Sequence, residues 1–305
     1  MKIYLNNPKE SWVVDRFCNE WGLYNQAITT EKIKNADIIW LISPWTWKKI
    51  KKRSLKNKKV LCTIHHIDFK KFNETEKKDF LKRDEYVDAY HAISEKTKFQ
   101  LEKITEKPIF VIPFWVNQNI FFEIKDKNEI RKKYNISNKY FLIGSFQRDT
   151  EGLDLISPKL SKGPDQFIEV IKKLKKTNKN VSVLLTGKRR QYIINQLNNL
   201  GIKFYYFEMV TFEELNELYN SLDLYVVASR VEGGPQAIFE CGITKTPIIS
   251  TDVGFATKIL PKESIFSLKK DFNPSPNIDI AYKNVQSYIT PNWFSKYVEL
   301  FEGLI

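Results

Sequence analysis

Histidine and cysteine are scarce in this chain, at three of each in 305 residues, and glycine is sparse at 11. Cys18, Cys62 and Cys241 show no paired spacing and no histidine at zinc-site intervals, which excludes a disulfide scaffold and a zinc module. They read as reduced core residues. No apolar run approaches the ~20 residues of a bilayer span, so a transmembrane helix is excluded. The opening stretch Met1 to Asn6 turns polar too soon for a secretion signal and reads as a first strand, giving a cytoplasmic expectation. No internal repeat or low-complexity segment interrupts the chain.

Acidic charge is also in short supply: 49 Lys/Arg face 36 Asp/Glu, a formal +13. Residues 1–135 hold 28 Lys/Arg against 18 Asp/Glu, or +10, leaving +3 for the rest. The densest stretch, Lys48 to Lys59, follows Trp45-Thr46-Trp47 and contains no acid. It suits an anionic membrane or a nucleic acid, and equally a solvated helix in a lysine-rich chain. Trp12, Trp45 and Trp47 could offer flat surfaces to a sugar ring, anchor at lipid headgroups, or be ordinary core.

Short apolar runs recur at Ile3 to Leu5, Asp37 to Ile42, Val60 to Ile64, Ala89 to Ile93 and Ile109 to Ile112, separated by helix-like stretches. A second series runs through Tyr140 to Ile143, Val181 to Leu185, Lys203 to Phe207, Leu222 to Val227 and Pro247 to Ser250. Strands and helices taking turns imply an α/β fold with parallel sheets. The expected organisation is an amino-terminal Rossmann-like domain over residues 1–125 and a second over 136–290. Asn117 to Lys139 is the linker, and a helix near 292–305 is free to pack back on the first domain. Two such doubly wound domains facing across a cleft would draw a site from the carboxyl ends of both sheets.

The most informative segment is Glu232-Gly233-Gly234-Pro235-Gln236-Ala237-Ile238-Phe239-Glu240, which follows the strand-like Leu222 to Ala228. Two glycines let backbone approach a ligand, Pro235 suits a first helical position, and the amides of a helix start attract an anion such as phosphate. Glu232 before the helix and Glu240 inside it are spaced to accept hydroxyls of a sugar or ribose. Upstream, Arg148 follows a strand in Gly144-Ser145-Phe146-Gln147-Arg148, and Lys162 precedes a helix in Lys162-Gly163-Pro164. A planar fork and a point charge there could each hold an anion without metal. Lys188, Arg189 and Arg190 could lie near a nucleotide or in a wet loop, and are left outside the site.

Ser229 to Glu240, followed by Thr246-Pro247 through Gly254, resembles the donor-site signature of the retaining GT-B glycosyltransferases of family four. Cys62-Thr63-Ile64-His65-His66-Ile67-Asp68 resembles that family's turn facing the acceptor, although His66 stands where aspartate is common. The loop Asn6 to Trp12 lacks the glycines the family commonly carries after its first strand. The resemblance implies transfer of a sugar from a nucleoside diphosphate sugar to a hydroxyl of a glycan, lipid-linked or other acceptor, with retention and no cofactor or metal. It implies donor contacts at Gly144, Arg148, Lys162, Glu232, Gly233, Gly234, Pro235, Gln236 and Glu240, with Glu240 on the ribose and Glu232 on the donor sugar. His65, Arg148, Lys162 and Glu232 become the catalytic set, and Trp12, His65 and His66 the acceptor side. A sugar-nucleotide epimerase on the same fold and a nucleic-acid-binding protein using the basic first half are the rival readings.

Overall fold

The computed structural model describes residues 1–10, 13–177, 180–269 and 272–305. The chain forms two compact units, the first from Met1–Trp115 with Thr290–Ile305 and the second from Val116–Ile289.

The first unit contains β1 (Ile3–Leu5), α1 (Val13–Tyr24), β2 (Ile38–Leu41), α2 (Lys52–Lys56) and β3 (Lys59–Ile64). It continues with α3 (Glu74–Asp84), β4 (Ala89–Ala92), α4 (Glu95–Leu101) and β5 (Ile109–Val111). All five strands pair in parallel in sequence order. α1 shares one core with Ile38, Trp40 and Leu61, whereas Leu55, Phe80 and Leu101 from α2 to α4 share another with Ile39, Leu41 and Val60. Side chains of successive strand residues point to opposite faces, so α1 covers one face and α2 to α4 the other. Thr29 explains how the chain changes face. It makes an isolated parallel bridge to Ile3, and the Thr30 amide donates to the Ile3 carbonyl at 2.9 Å, so the chain touches the outer edge of β1 before crossing to β2. The reversal of winding therefore falls between β1 and β2.

The second unit begins where a linker is expected. Residues 117–139 pack instead as part of it: Phe121 and Ile136 join its core, and α5 (Lys127–Lys133) is capped by Asp126 and tied to Asp223 by Arg131 at 2.7 Å. Then follow β6 (Phe141–Ser145), α6 (Pro164–Thr177), β7 (Val181–Thr186), α7 (Gln191–Asn199) and β8 (Phe204–Phe207). α8 (Phe212–Asn220), β9 (Leu224–Val227), α9 (Gln236–Thr244), β10 (Ile248–Ser250), α10 (Ala256–Ile259) and α11 (Ile278–Val285) complete it. Thr211 and Glu214 form a reciprocal capping box at α8, satisfying two otherwise orphaned amides. The parallel sheet runs β10-β9-β6-β7-β8, so strand order reverses between β6 and β9. In open α/β sheets ligands bind outside the carboxyl ends of the strands at such a reversal.

α12 (Phe294–Glu302) lies in the first unit. Phe294, Tyr297, Leu300 and Phe301 enter the core beside Trp21, Trp40 and Trp115, each such burial stabilising by about 1.5–3 kcal/mol. Polar residues of α1 are buried too. Arg16 and Glu20 lie 3.7 Å apart, and the Trp115 indole donates to Glu20 at 2.6 Å. The three cysteines are unpaired with one another and buried, and burial pushes the Cys18 thiol up to about 12 and the Cys62 thiol up to about 11. Among the described residues no helix is long and apolar enough to cross a membrane.

Candidate functional site

In the second unit two connections leave the reversal point. The one after β6 carries Lys162, the one after β9 carries Glu232, and the fold draws the two side chains into an ion pair. Three features enforce that meeting. The Arg230 and Val231 amides donate to the Ser161 carbonyl at 2.8 and 3.1 Å. The Arg230 guanidinium grips Asp165, the second residue of α6, through parallel bonds of 2.7 and 2.5 Å, and this pairing holds the Asp165 carboxyl below its ordinary range against the opposing effect of burial. Gly163 adopts φ 63°, and a Cβ there would run into the Ala228 carbonyl oxygen, so only glycine permits this approach.

Around the pair, Gln147 donates to the Lys162 carbonyl at 2.9 Å, and the Ser229 hydroxyl lies 3.3 Å from Gln147 Oε1 and 3.4 Å from Glu232 Oε1. Thr251 fixes the Ser229 carbonyl at 2.6 Å. Gly233 and Gly234 line the turn into α9. Gly254, at φ 51°, lies against the Gly233 carbonyl, and Gly234 leaves room for the Phe255 ring. Pro235 occupies the N-cap, one position earlier than expected, so Gln236 is the first helical residue. The Gln236 side-chain amide is buried with neither its oxygen nor its nitrogen hydrogen-bonded, leaving a donor and an acceptor unused beside the helix start.

Glu240 lies one turn further in and is only 4% exposed, with Oε2 accepting from the Tyr219 hydroxyl at 2.7 Å. Burial first, and the Glu240 carboxylate second, keep the Tyr219 phenol well above its ordinary pKa, so it remains a donor. The Tyr219 ring leans on Phe146, the residue after β6, at 4.9 Å. The second glutamate is thus tied to the same reversal point.

Two expected donor residues stand differently. Gly144 is inside β6, and its missing side chain makes room for Leu222, which gives it a packing role. Arg148 lies at the surface, where partial burial first and the like charge of Arg189 second lower its pKa. Arg190, left open as a wet loop, is fully buried. It bonds Asp149 at 2.9 Å and the carbonyls of Ser145 and Thr186 at 2.6 and 2.9 Å, bracing the ends of β6 and β7.

In the first unit His65 follows directly on β3. Its Nε2 lies 2.9 Å from the Ile42 carbonyl, and because a carbonyl can only accept, that nitrogen carries a proton. The ring stacks on Phe114 at 5.7 Å and lies 5.9 Å from Trp45. His66 is half-buried beside it. Trp12 lies outside the described residues. Trp47 is core, its indole bonded to Asp79 at 3.3 Å, whereas Trp45 is 43% exposed and donates to Glu10 at 3.0 Å. The basic stretch is a 3-10 turn, a five-residue helix and a strand start rather than one helix. Folding also brings acid to it: Lys48 pairs with Asp79, and Lys59 with Asp88 at 3.4 Å. In the loop after β1, Lys9 takes the left-handed backbone, φ 55°, that a glycine would adopt more easily.

Residues 126–270 match the family of glycosyl transferases group 1. Among solved structures, HepE of Anabaena in complex with UDP superposes with a TM-score of 0.74 at 13% identity, covering 99% of this chain and 100% of that one. Sucrose-phosphate synthase from Thermosynechococcus elongatus gives 0.70 at 17%, covering 95% and 77%. A glycosyltransferase from Rickettsia africae gives 0.62 at 20%, covering 98% and 83%. The chain has the GT-B fold, and the residues that match the glycosyl transferases group 1 model lie within its second unit. No characterised sequence matches closely enough to count as a relative.

Sequence reasoning missed several residues that build the second unit and its companion. Gln147 and Ser229 lie inside quoted motifs but carry no charge to attract notice, and Tyr219 comes from a helix remote in sequence from its partner Glu240. In the companion unit His91 is wholly buried. The Trp40 indole donates to Thr63 at 2.8 Å, Thr63 donates to His91 Nδ1 at 2.9 Å, and His91 Nε2 donates to the Ile112 carbonyl at 2.6 Å. That chain satisfies every member and leaves the imidazole neutral, with burial lowering its pKa to about 4. No spacing signal marks it.

Proposed function

We propose that the protein is a retaining, metal-independent glycosyltransferase of the family-four kind, moving a sugar from a nucleoside diphosphate sugar to a hydroxyl of a carbohydrate or lipid-linked acceptor in the cytoplasm. The observation that carries this reading is the Lys162–Glu232 pair at the strand-order reversal of the second sheet, directly ahead of the α9 helix start. A cation, a carboxylate and a helix N-terminus set together suit an anion linked to a polyhydroxyl group.

In this reading the bond between the sugar and the leaving phosphate breaks as the acceptor oxygen bonds to the same face, and the acceptor proton passes to a leaving-phosphate oxygen. Lys162, Arg148 and the amides of Gly233 to Gln236 neutralise the charge that develops, and a preorganised donor of this type contributes a few kcal/mol. Glu232 takes hydroxyls of the transferred sugar. Glu240 takes the ribose hydroxyls; one bond from Tyr219 leaves acceptor capacity on a carboxylate, which has about four lone-pair sites. His65 serves the acceptor side. A stand-alone nucleic-acid-binding role would leave the second unit's arrangement without a use.

The test is thermal stability of the wild type and of Arg148→Ala/Lys162→Ala with UDP-, GDP-, ADP- and CMP-sugars, without added metal. UDP-sugars come first, because HepE structures hold UDP and UDP-glucose. A ligand at 100 times its Kd adds about 2.7 kcal/mol, well within detection. Stabilisation by one nucleotide, lost in the double variant, supports the assignment; no response to any sugar nucleotide refutes it.

A further inference from the structure

The connection between β6 and α6 contains a small built hairpin. Thr150 and Pro158 bridge antiparallel, the Glu151 amide donates to Ser157 at 3.0 Å, and Lys159 to Asp149 at 2.8 Å. At the tip, Asp154 Oδ1 accepts from the Ile156 and Ser157 amides at 3.0 and 3.1 Å, and Oδ2 from the Ser157 hydroxyl at 2.5 Å. The Arg189 carbonyl accepts from the Asp149 and Thr150 amides at 3.1 and 3.3 Å, and its guanidinium bonds the Gly152 carbonyl. Gly152 and Leu155 take positive φ, 74° and 57°, which a leucine adopts only when its surroundings impose it.

This tip holds aliphatic side chains in water. Leu153 is 101% exposed and Ile156 62%, with Leu155 and Leu160 also exposed. Single exposed aliphatics are ordinary, but four within eight residues of a stapled turn form a patch. Its surroundings are mainly cationic. Arg148 and Lys188 are exposed, Lys159 and Arg189 half-buried, and Arg148 and Arg189 lie close enough for each to feel the other's charge. Of the two acids within residues 150–160, Asp154 is bound up in the turn, and Glu151 is the other. Aliphatic tips with a cationic rim complement an anionic lipid leaflet, whose acyl boundary accepts the former and whose phosphates pair with the latter. A single-stranded nucleic acid would call for stacking aromatics, which this tip lacks.

We propose that the hairpin of residues 150–160 is a membrane-docking tip that seats Leu153, Leu155 and Ile156 in the interface of an anionic bilayer. The tip shares Arg148 with the glycosyl transfer reading but rests on its aliphatic side chains and stapled turn, and that reading adds that the segment carrying Lys162 would then work at a leaflet surface. The native cysteines are buried, so a thiol introduced by Leu153→Cys can be labelled selectively with an environment-sensitive fluorophore. The label is read with vesicles of phosphatidylcholine alone and with about 30% phosphatidylglycerol. Expected is a blue-shifted, several-fold brighter emission with the anionic vesicles only, weakened by salt, and no change for a label at Asn198→Cys. Leu153→Asp/Ile156→Asp should lower vesicle co-sedimentation about tenfold or more while keeping sugar-nucleotide stabilisation, which separates this proposal from the function itself. A silent label at position 153 overturns the proposal, whether the protein ignores the vesicles or binds them through the basic first unit. Emission that rises with protein concentration in the absence of vesicles overturns it in favour of self-association.

Discussion

Removing Glu232 should tighten the binding of a nucleoside diphosphate, although Glu232 belongs to the proposed donor site. Lys162 is neutralised by this carboxylate in the free protein. A phosphate oxygen reaching the far side of the same ammonium would sit about 5.6 Å from the carboxylate, two charge-assisted bonds of about 2.8 Å. Repulsion per unit charge at that distance is about 0.7 kcal/mol at the dielectric of water and about 3 kcal/mol at an effective value near 20. Glu232→Gln, which keeps the shape and drops the charge, should therefore lower the Kd for the free diphosphate by roughly 3- to 150-fold. Isothermal titration with the nucleoside diphosphate at low and high salt measures it, and the gain should shrink as salt screens the pair. With the intact sugar nucleotide the gain should be offset by the lost sugar contact. Equal or weaker diphosphate binding in the variant would show that Lys162 does not hold the phosphate.

Three further outcomes follow from the packing. His91 is neutral when folded and its pKa is lowered to about 4, so its share of stability is complete above the unfolded value near 6.5 and is lost as pH falls towards 4. Urea unfolding should show about 2 kcal/mol lost between pH 7 and pH 5 from this group, and His91→Gln should flatten that dependence. Gly163→Ala should destabilise by about 2–4 kcal/mol and abolish sugar-nucleotide stabilisation, because the Ala228 carbonyl blocks a Cβ; unchanged melting would refute the close approach. Glu240→Ala should destabilise by about 1–3 kcal/mol by leaving the buried Tyr219 hydroxyl unpaired, whereas Glu240→Gln should recover most of that stability while binding the donor less tightly.

The fold was highly legible in the sequence. Each of the ten apolar runs contains or overlaps an observed strand, because buried parallel strands must be short, continuous and rich in β-branched and aromatic residues. The stretch 117–139 misled because its charged surface hides a few anchors, Phe121, Ile136 and Arg131, whose partners lie far along the chain. That Lys162 and Glu232 would lie near one another was readable because each sits at a strand or helix end beside a glycine turn. Tyr219, Gln147 and the His91 relay were not, because their meaning arises only when remote segments meet. Trp47 shows the converse: its sequence context left surface and core both open, and the fold placed it in the core.

The first unit has a consequence for how the protein is made. The second unit is one uninterrupted stretch, 116–289, and its core needs nothing made later. The first unit, although begun earlier, lacks one wall of its core until Phe294, Tyr297 and Phe301 have been synthesised to pack on Trp21, Trp40 and Trp115. On the ribosome, where domains otherwise complete in order of synthesis, the half begun first must be finished last. In the interval the faces of Trp21, Trp40 and Trp115 that those rings cover lack their partners.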